Sequence, residues 1–433
     1  MSTFFPRNGK EYIPRIIDAT IADFLATFGA VCVEGPKWCG KTWASLNQAH
    51  SAVMIGDPAN NFQNRELAKM NPGLILEGAV PRLIDEWQEV PSIWDAVRFE
   101  VDNRGTKGQF LLTGSATPNR KGVLHSGAGR IATLRMRPMS LYESGDSNGV
   151  VSLLEICNGS ADSIGTGNVE LQQLIDLIVR GGWPESTGLP VERAAQIAKS
   201  YIKTVIAEDV NRIDEGVVNR SQEKMELLLR SLARNESTTA SGAVLRSDME
   251  GIDRETLYEH TVADYLDVFR RLFLVDDQPP FSWKLRSSIR LKQSAKRHLA
   301  DPSLAVALLK ATPKKLLNDL NTLGFLFEAM VERDLRIYCE SWGGELYHYQ
   351  DYKNREVDAV IEMPDGGWCA IEIKLGANQI EEAAANLTKL RDALVRESTD
   401  LAPKSLIVVC GLSHAAYQRP DGVIIVPITA LKP

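Results

Sequence analysis

The chain has 433 residues, 44% of them hydrophobic and 24% charged, which is an ordinary globular balance with ample core material. The net charge of −7 excludes a protein whose whole surface coats nucleic acid, so any contact with a polyanion must be a local patch. No apolar run approaches the roughly 20 residues of a membrane helix, and the first residues lack the apolar core of a signal peptide. The six cysteines form no C-x-x-C pair, which argues against zinc and against a disulfide framework. We therefore expect a cytoplasmic protein of about two to four domains with no membrane partner.

Residues 1–143 alternate short apolar runs with helical stretches. Strands are predicted at AVCVEG (30–35), AVMIG (52–56), RLIDEW (82–87), QFLLTGS (109–115) and RIATLRM (130–136). Strands that alternate with helices are typical of a parallel sheet with crossover connections. The pattern predicts an α/β domain over 1–143, with helices on both faces of the sheet.

The middle of the chain is predicted to be mainly helical. Residues 144–168 are rich in Gly and Ser, which indicates a mobile loop or a domain boundary, and helical patterns continue from there. We interpret 144–225 as a flexible loop and a helical lid. Within 226–300, short helices lead into an apolar strand, LFLVDD (272–277), an order that is similar to a winged helix.

Residues 301–433 are predicted to form a second α/β unit. Long helices are expected over 316–338 and 378–397. Strands are predicted at ELYHYQ (345–350), EVDAVIEM (356–363), WCAIEIKL (368–375), SLIVVC (405–410) and GVIIVPI (422–428). The rhythm of this part differs from the N-terminal one, so we expect a separate fold.

The stretch VCVEGPKWCGKTWASL (31–46) contains G-x-x-x-x-G-K-T between a predicted strand and a predicted helix. In such a loop, Gly35 and Gly40 allow the tight turn that directs backbone N–H groups to a phosphate. Lys41 supplies a positive charge to the β- and γ-phosphates, and Thr42 offers a hydroxyl to Mg²⁺. The helix that follows adds its N-terminal dipole. The motif predicts a site for ATP and Mg²⁺.

A second element makes hydrolysis the expected reaction. The predicted strand RLIDEW ends in Asp85 and Glu86. Asp85 is expected to hold the Mg²⁺ water shell, and Glu86 to orient and activate the attacking water. The next strand ends in LLTGSA, where either Thr113 or Ser115 would sense the γ-phosphate. For these two residues a simple strand cap is the alternative interpretation.

Arg130 is the candidate for an arginine that acts on a neighbouring subunit. It lies in HSGAGRIATLRM, where a guanidinium could be presented to the γ-phosphate of the next copy and stabilise charge in the transition state. Arg120 is a rival for the same role, and each of the two could be an ordinary surface arginine.

Four residues of the C-terminal unit have the types that phosphodiester cleavage requires. Glu328 is on the long helix, Asp358 is on one strand, and Glu372 and Lys374 form E-x-K on the next strand, where a period of two puts them on one face. Carboxylates can bind Mg²⁺, and a lysine can position or activate a water. We expect a nuclease-type site here, although a degenerate site that only binds DNA is an alternative.

A basic stretch precedes this unit. Residues 282–302 carry six cations before the next acid, Asp301, namely Lys284, Arg286, Arg290, Lys292, Lys296 and Arg297. In an acidic chain such a cluster favours contact with the phosphate backbone of DNA. An exposed basic face that binds nothing is the alternative.

Eight motifs in chain order resemble a known group of proteins. They are EGPKWCGKT, LIDEWQEVP, FLLTGSA, GRIATLRMRPMSLYE, RGGWPE, DPSLAVALL, GFLFEAMVERDL and EVDAVI with IEIK. The chain is similar over nearly its whole length to bacterial and archaeal AAA+ ATPases with a C-terminal PD-(D/E)XK (restriction-endonuclease-like) domain of unknown function. The resemblance implies an AAA+ core, a winged-helix region and a PD-(D/E)XK-like fold.

The resemblance also assigns residues. Lys41 and Thr42 fall on the phosphate loop and Asp85 and Glu86 on the Mg²⁺ and water positions. The nuclease-like triad falls on Asp358, Glu372 and Lys374. One departure is that Trp38 and Cys39 stand where this loop is often smaller or polar.

Three functions follow as hypotheses. The first is an ATPase that remodels DNA as a helicase, translocase or branch-migration motor, acting on single-stranded or branched DNA such as Holliday junctions. Such a motor is expected to be a homo-oligomer, with a hexameric ring as the first candidate. The second is an ATP-gated DNA nuclease, and the third is a nucleotide-dependent switch that binds protein partners in defence or stress.

Overall fold

A computed structural model describes residues 11–117, 125–210, 221–253, 259–283, 293–351 and 355–433. The described residues form two compact units. The first unit is drawn from 1–138, 207–220 and 267–274, and the second from 139–206, 221–266 and 275–433. Each unit has its own sheet, as the change of pattern along the sequence predicts. The division into four parts at 143, 225 and 300 stays a prediction.

The first unit is built on a five-stranded parallel sheet in the order β2-β3-β4-β1-β5. The strands are β1 (Ala30–Glu34), β2 (Ser51–Met54), β3 (Arg82–Asp85), β4 (Phe110–Gly114) and β5 (Ile131–Arg135). All five predicted strands and their parallel arrangement are confirmed. Because β4 lies between β1 and β3, the ends of these three strands meet at one edge of the sheet.

Helices cover both faces of this sheet, as predicted. They are α1 (Ile17–Thr27), α2 (Lys41–Gln48), α3 (Ala59–Met70) and α4 (Ser92–Arg104). Alternate strand residues point to opposite faces. Leu111 therefore packs in one apolar cluster with Ile21 of α1, whereas Leu112 packs in another with Val97 of α4. Burial of both faces is the usual reason why parallel strands read as continuous apolar runs.

The second unit contains a seven-stranded mixed sheet in the order β10-β11-β12-β13-β15-β14-β7, in which β7 is Ile164–Gly165. Its C-terminal strands are β10 (Glu345–Gln350), β11 (Glu356–Glu362), β12 (Trp368–Lys374), β13 (Ser405–Cys410), β14 (Ala415–Gln418), β15 (Ile424–Pro427) and β16 (Leu431–Lys432). The first three pair antiparallel, and β12, β13 and β15 run parallel. The five predicted C-terminal strands are confirmed.

Most helices of the second unit precede the C-terminal strands along the chain, and the last helix connects β12 to β13. They are α5 (Leu153–Cys157), α6 (Leu171–Arg180), α7 (Val191–Thr204), α8 (Gln222–Arg234), α9 (Gly242–Asp253), α10 (Glu259–Arg271), α11 (Pro302–Leu308), α12 (Pro313–Leu317), α13 (Leu320–Glu340) and α14 (Ile380–Glu397). The last residues of α10 group with the first unit. Along the chain, α13 is followed by three antiparallel strands, α14 and a parallel strand. The residues of the predicted C-terminal site lie on α13, β11 and β12.

The Gly/Ser-rich segment contributes strands to the second unit rather than forming an open loop. It contains β6 (Val151–Ser152) and β7 (Ile164–Gly165). β6 pairs with β16, and β7 pairs with β14 at the edge of the large sheet. Two-residue strands carry no periodic pattern, which explains why composition alone suggested a mobile segment.

The region predicted to resemble a winged helix contains α8, α9 and α10, followed by two antiparallel strands. These strands are β8 (Val275–Gln278) and β9 (Lys296–Leu299). The predicted strand at 272–277 is thus present, but it begins at Val275 because α10 extends to Arg271. The winged helix itself stays a prediction. In the part of the chain that the structure describes, no helix is long and apolar enough to cross a membrane.

Candidate nucleotide site and a C-terminal carboxylate cluster

The phosphate loop leaves the end of β1 and enters α2. A side chain at Gly35 would place its Cβ 2.1 Å from the carbonyl oxygen of Met136, so only glycine fits there. Gly40 has φ of 105°, a conformation that glycine adopts readily. Trp38 adopts φ of 66°, and its side chain is 57% exposed, which directs this large residue away from the core. Both positions thus suit glycine, and their role in phosphate binding stays a prediction.

Lys41 and Thr42 lie in the first turn of α2. The Lys41 side chain is buried, and its Nζ donates a hydrogen bond to the Pro36 carbonyl oxygen at 2.9 Å. Thr42 Oγ1 donates to Asp85 Oδ1 at 2.7 Å. The loop after β1 and the end of β3 are therefore in direct contact, as a shared ATP and Mg²⁺ site requires.

Asp85 lies at the centre of this contact. Its Oδ1 accepts hydrogen bonds at 2.7 Å from Thr42 Oγ1 and from Thr113 Oγ1. Burial raises the pKa of Asp85, although the two hydroxyl donors act in the opposite direction. A threonine hydroxyl beside an aspartate oxygen is a hard oxygen donor set, which is the kind that Mg²⁺ prefers. The residues therefore fit the metal that the motif implies.

Glu86 is held in place by β4 and by a nearby glutamine. Its backbone adopts φ of 58°, and its N–H donates to Thr113 Oγ1 at 3.1 Å. Its Oε2 accepts a hydrogen bond from Ser115 Oγ at 2.8 Å and another from the Gln88 amide. A non-glycine residue in the left-handed region is strained, and such strain is often found at functional sites. The structure thus brings Thr113 and Ser115 together with Asp85 and Glu86.

Two residues that sequence reasoning missed stabilise this arrangement. Gln88 donates to both Glu86 and Ser115, the latter at 3.2 Å, and its only sequence signal is its position two residues after Glu86. Arg15 is buried, and it donates from Nη1 to the Cys39 carbonyl oxygen at 2.6 Å. Arg15 therefore positions the backbone of the phosphate loop, and no motif around it indicates this.

Arg130 lies on the surface of the first unit. Its Nε is 2.9 Å from Asp102 Oδ1, and the two side chains are 46% and 40% exposed. An exposed arginine with a weakly held partner is suited to a role on a neighbouring copy, but that role stays a prediction. Arg120 lies outside the described residues.

The C-terminal residues predicted from E-x-K are brought together on β11 and β12. Lys374 Nζ lies 2.6 Å from Glu372 Oε2 and 3.1 Å from Asp358 Oδ2. Asp358 Oδ2 also accepts a hydrogen bond from the Ile373 N–H at 2.8 Å. Glu328 on α13 interacts electrostatically with Asp358 and with Lys374. All four predicted residues thus belong to one cluster.

Burial and charge shift the pKa values of the cluster in different directions. Burial, reinforced by Asp358, raises the pKa of Glu372 to about 8. Burial and Asp358 also raise the pKa of Glu328 to about 7. Burial alone would raise the pKa of Asp358, but Lys374 and Lys296 outweigh it and hold that pKa below its usual value. Carboxyl groups with separated pKa values are candidates for proton transfer.

Lys296 belongs to this cluster and not to an exposed basic face. Its side chain is 2% exposed, and its Nζ donates to Glu328 Oε1 at 2.7 Å. Burial opposes its charge, but Glu328 and Asp358 keep its pKa above the usual value. The predicted contact of Lys296 with a DNA backbone therefore does not agree with its burial.

The other members of the basic stretch are less informative. Arg297 donates to the Ala240 carbonyl oxygen, and its side chain is 14% exposed. The remaining four predicted DNA contacts lie outside the described residues, namely Lys284, Arg286, Arg290 and Lys292. Whether they contact DNA stays a prediction.

The C-terminal cluster does not form a metal site as it stands. Across the described ranges, no group of three or more His, Cys, Asp or Glu residues is arranged to hold a metal ion. Lys374 places an ammonium group beside both Asp358 and Glu372, where a metal would need their oxygens. In the structure, the positive charge beside these two carboxylates is thus the ammonium group of Lys374.

Three stretches of the chain match known families. Residues 27–145 match a family described as AAA domain. Residues 171–315 and 323–431 match two families described as domains of unknown function, DUF8612 and DUF4143. Neither of these descriptions names a winged helix or a nuclease-like fold.

Two mycobacterial proteins are similar to most of the chain. An uncharacterized protein of Mycobacterium tuberculosis is 26% identical over 402 residues, which cover 92% of this chain and 79% of that protein. An uncharacterized protein of Mycobacterium bovis matches to the same extent. These relatives extend the likeness across both units without adding an activity.

Solved structures are similar at 12% identity. The Walker-type ATPase of Pyrococcus abyssi has a TM-score of 0.42, covering 69% of this chain and 96% of that one. The replication initiator DnaA bound to AMPPCP and single-stranded DNA has a TM-score of 0.24, covering 59% and 86%. A signal-transduction ATPase with numerous domains from Pyrococcus horikoshii has a TM-score of 0.21, covering 76% and 48%.

The stretch that matches the AAA domain contains the candidate nucleotide site. The match spans the phosphate loop, Asp85, Glu86 and Thr113. The same residues meet where β1, β3 and β4 end. Residues 27–145 are therefore similar to an AAA domain, and the candidate nucleotide site lies within this stretch.

Proposed function

We propose that the first unit hydrolyses ATP with Mg²⁺. The observation that carries this proposal is the pair of hydrogen bonds from Thr42 and Thr113 to Asp85, because they join the phosphate loop, β3 and β4 at one point. In the proposed reaction Lys41 and the loop N–H groups bind the phosphates, and Thr42 and Asp85 would hold Mg²⁺. The metal supplies charge neutralisation on the β- and γ-phosphates.

Glu86 is the proposed general base. Its carboxylate accepts a proton from the attacking water, and its orientation is fixed by Ser115 and Gln88. Thr113 fixes the backbone of Glu86 and a side-chain oxygen of Asp85 at once. This makes Thr113 suited to couple the metal position to the water position. Sensing of the γ-phosphate, by Thr113 or by Ser115, stays a prediction.

The proposed work of this hydrolysis is remodelling of DNA, by a helicase, translocase or branch-migration mechanism. The support is the cluster of carboxylates and lysines in the second unit. This unit contains α13, three antiparallel strands, α14 and a parallel strand, and we propose for it the PD-(D/E)XK-like fold that the resemblance implies. Single-stranded or branched DNA is the proposed substrate, and the proposed assembly is a homo-oligomer such as a hexamer.

The test is ATP hydrolysis by the full chain with single-stranded DNA, duplex DNA, forks and four-way junctions. Stimulation by one class of DNA, lost in Lys41→Ala, would support the proposal. Glu86→Gln with ATP should form stable complexes with the same DNA, visible by gel shift and by electron microscopy. Hydrolysis that no DNA stimulates, together with no gel shift, would refute the DNA-remodelling role and favour a switch that binds protein partners.

A second candidate function is DNA cleavage gated by ATP. The observation that favours it is that Glu328, Asp358, Glu372 and Lys374, which are far apart in the sequence, lie in one cluster. A metal ion at this cluster would have to displace the Lys374 ammonium group from Asp358 and Glu372. Plasmid and branched DNA are incubated with the wild type and with Glu372→Ala, in Mg²⁺ or Mn²⁺, with and without ATP. Cutting that depends on Glu372 would support a nuclease, whereas equal products from the two proteins would leave the cluster with a binding or structural role.

A further inference from the structure

A second lysine of the phosphate loop lies against an acidic residue from a distant part of the chain. Lys37 Nζ is 2.5 Å from Oδ1 of Asp209, which lies 172 residues further along. The Lys37 side chain is 39% exposed, whereas the Asp209 side chain is 7% exposed. Both residues belong to the first unit. A cation of the loop is therefore held by a largely buried carboxylate.

Asp209 depends on this contact to an unusual degree. Its second oxygen, Oδ2, is buried and has no hydrogen-bond partner within the described part of the chain. A buried acceptor without a partner costs free energy. Asp209 is also the last residue of a π-helical turn, Val205–Asp209, and such turns are frequent at functional sites.

The two lysines of the loop are bound in comparable ways. Lys41 Nζ donates to the Pro36 carbonyl oxygen, and Lys37 Nζ pairs with the Asp209 carboxylate. The acceptor of Lys41 thus belongs to the residue immediately before Lys37. Phosphate oxygens are strong, charged acceptors for ammonium groups. A polyphosphate in this loop would therefore compete with chain oxygens for both cations.

We propose that Lys37 is a second phosphate-binding lysine of the ATP site and that Asp209 competes with the nucleotide for it. The inference rests on the proposed ATP site and deepens it. When the nucleotide binds, Lys37 moves from Asp209 to the phosphates, and the buried carboxylate loses its cation. Because Asp209 is the last residue of the turn Val205–Asp209, loss of its cation should destabilise this turn when the nucleotide binds.

Competition of this kind has a specific thermodynamic signature. The apparent affinity for a ligand falls by the fraction of molecules whose site is ready to bind it. Asp209→Asn keeps the shape but removes the charge, so the affinity for ATP should rise by about 3- to 10-fold. Lys37→Met should lower that affinity by about 10-fold, because a charge-assisted contact is lost. In the Lys37→Met background, Asp209→Asn should have no further effect.

The experiment is a fluorescence titration of the full chain with a non-hydrolysable ATP analogue, ADP and AMP. The wild type, Asp209→Asn, Lys37→Met and the double variant are each titrated, and the melting temperature of each protein is recorded. Lys69→Met is the matched control, since Lys69 is a half-exposed lysine of the same unit that pairs with Glu66 at 2.9 Å. The effect of Asp209→Asn should be largest for the triphosphate and smallest for AMP, because the competition is between charges.

The outcomes separate this inference from the proposed ATP site. An Asp209→Asn gain that grows with phosphate number and disappears in the double variant supports the inference. Unchanged affinities in both variants, beside a wild type that binds ATP and a Lys41→Ala variant that does not, overturn it and leave the ATP site intact. A lower melting temperature with unchanged affinity shows a purely structural pair and also overturns it. A wild type that binds no nucleotide overturns both.

Discussion

Thr42 and Asp85 are 43 residues apart in the chain, yet the hydroxyl of one donates to the carboxylate of the other at 2.7 Å. This contact joins the helix after β1 to the end of β3 although these two strands are not neighbours in the sheet. The intervening strand β4 adds Thr113 to the same carboxylate. The strand order therefore decides which side chains can act together on a nucleotide.

Glu86→Gln should keep ATP binding and lose hydrolysis. The amide cannot accept a proton from water, while Asp85 and Thr42 remain in place, so turnover should fall by about 10²- to 10⁴-fold. Binding is measured by titration with a fluorescent ATP analogue and turnover by phosphate release. Lys41→Ala is the comparison, since it should lose binding as well. Normal hydrolysis by Glu86→Gln would show that another residue is the base.

Ser115→Ala should lower turnover while leaving nucleotide affinity nearly unchanged. Ser115 Oγ donates to Glu86 Oε2, so its loss leaves the base oriented by Gln88 alone. We expect a decrease in kcat of about 10-fold, as for loss of one hydrogen bond to a charged group. Ser92→Ala is a suitable control, because Ser92 begins α4 and has no part in the site. An equal decrease in both variants would contradict a role in positioning Glu86.

Arg130→Ala should abolish hydrolysis without unfolding the chain, if Arg130 acts on a neighbouring copy. Its pair with Asp102 is exposed, and exposed pairs contribute little to stability. Mixing Arg130→Ala with Lys41→Ala should restore activity, because one variant supplies the site and the other the arginine. Random mixing in a ring should restore about a quarter of the wild-type activity. If activity does not recover in a mixture that is shown to exchange subunits, Arg130 is not the arginine that acts on the neighbouring copy.

Lys296→Met should destabilise the second unit. Lys296 is 2% exposed and pairs with Glu328, so its loss leaves a buried carboxylate uncompensated, at a cost of about 3–5 kcal/mol in the free energy of unfolding. The double variant Lys296→Met with Glu328→Gln should recover much of that loss. Chemical denaturation measures both. A Lys296→Met variant that is as stable as the wild type but binds DNA weakly would instead restore the original prediction of a DNA contact.

Glu372→Gln should alter the dependence of stability on pH. Burial raises the pKa of Glu372 to about 8 in the folded chain, well above the value of a free carboxyl group. From about pH 5 to pH 8 the unfolded state has lost this proton while the folded state keeps it, so stability falls as pH rises. Relative to Glu372→Gln, the wild type should lose at least about 1 kcal/mol across this range.

Melting curves at several pH values, in buffer with EDTA, measure this difference. Asp358 does not interfere, because its pKa lies below the usual value and it stays ionised throughout the range. Glu328 is present in both proteins, so its own titration affects the two similarly. Parallel curves for the wild type and Glu372→Gln would contradict the raised pKa of Glu372.

Much of the site could be predicted from the sequence because its parts are local. The phosphate loop and the Asp85–Glu86 pair are short motifs placed at the ends of strands, and parallel strands bring their ends to one edge. Glu372 and Lys374 share a face through the period of a strand. These relations need only backbone geometry.

The remaining contacts depend on tertiary structure. Lys37 meets Asp209, and Arg15 meets the carbonyl of Cys39, over separations that no local pattern encodes. The sequence predicts an exposed Lys296, because charge counts along the chain do not reveal which side of a strand is buried. Its partner, Glu328, comes from a helix that begins 24 residues later.

The short strands β6 and β7 have a practical consequence for fragments of this protein. A fragment that begins at residue 301 would contain the predicted nuclease-like region but would lack both strands. The edge of β14 would then be open, and unpaired edges promote self-association. The thiol of Cys369 would also lose its acceptor, the carbonyl oxygen of Cys157. Expression trials of the C-terminal region should therefore begin near residue 139, where the second unit begins.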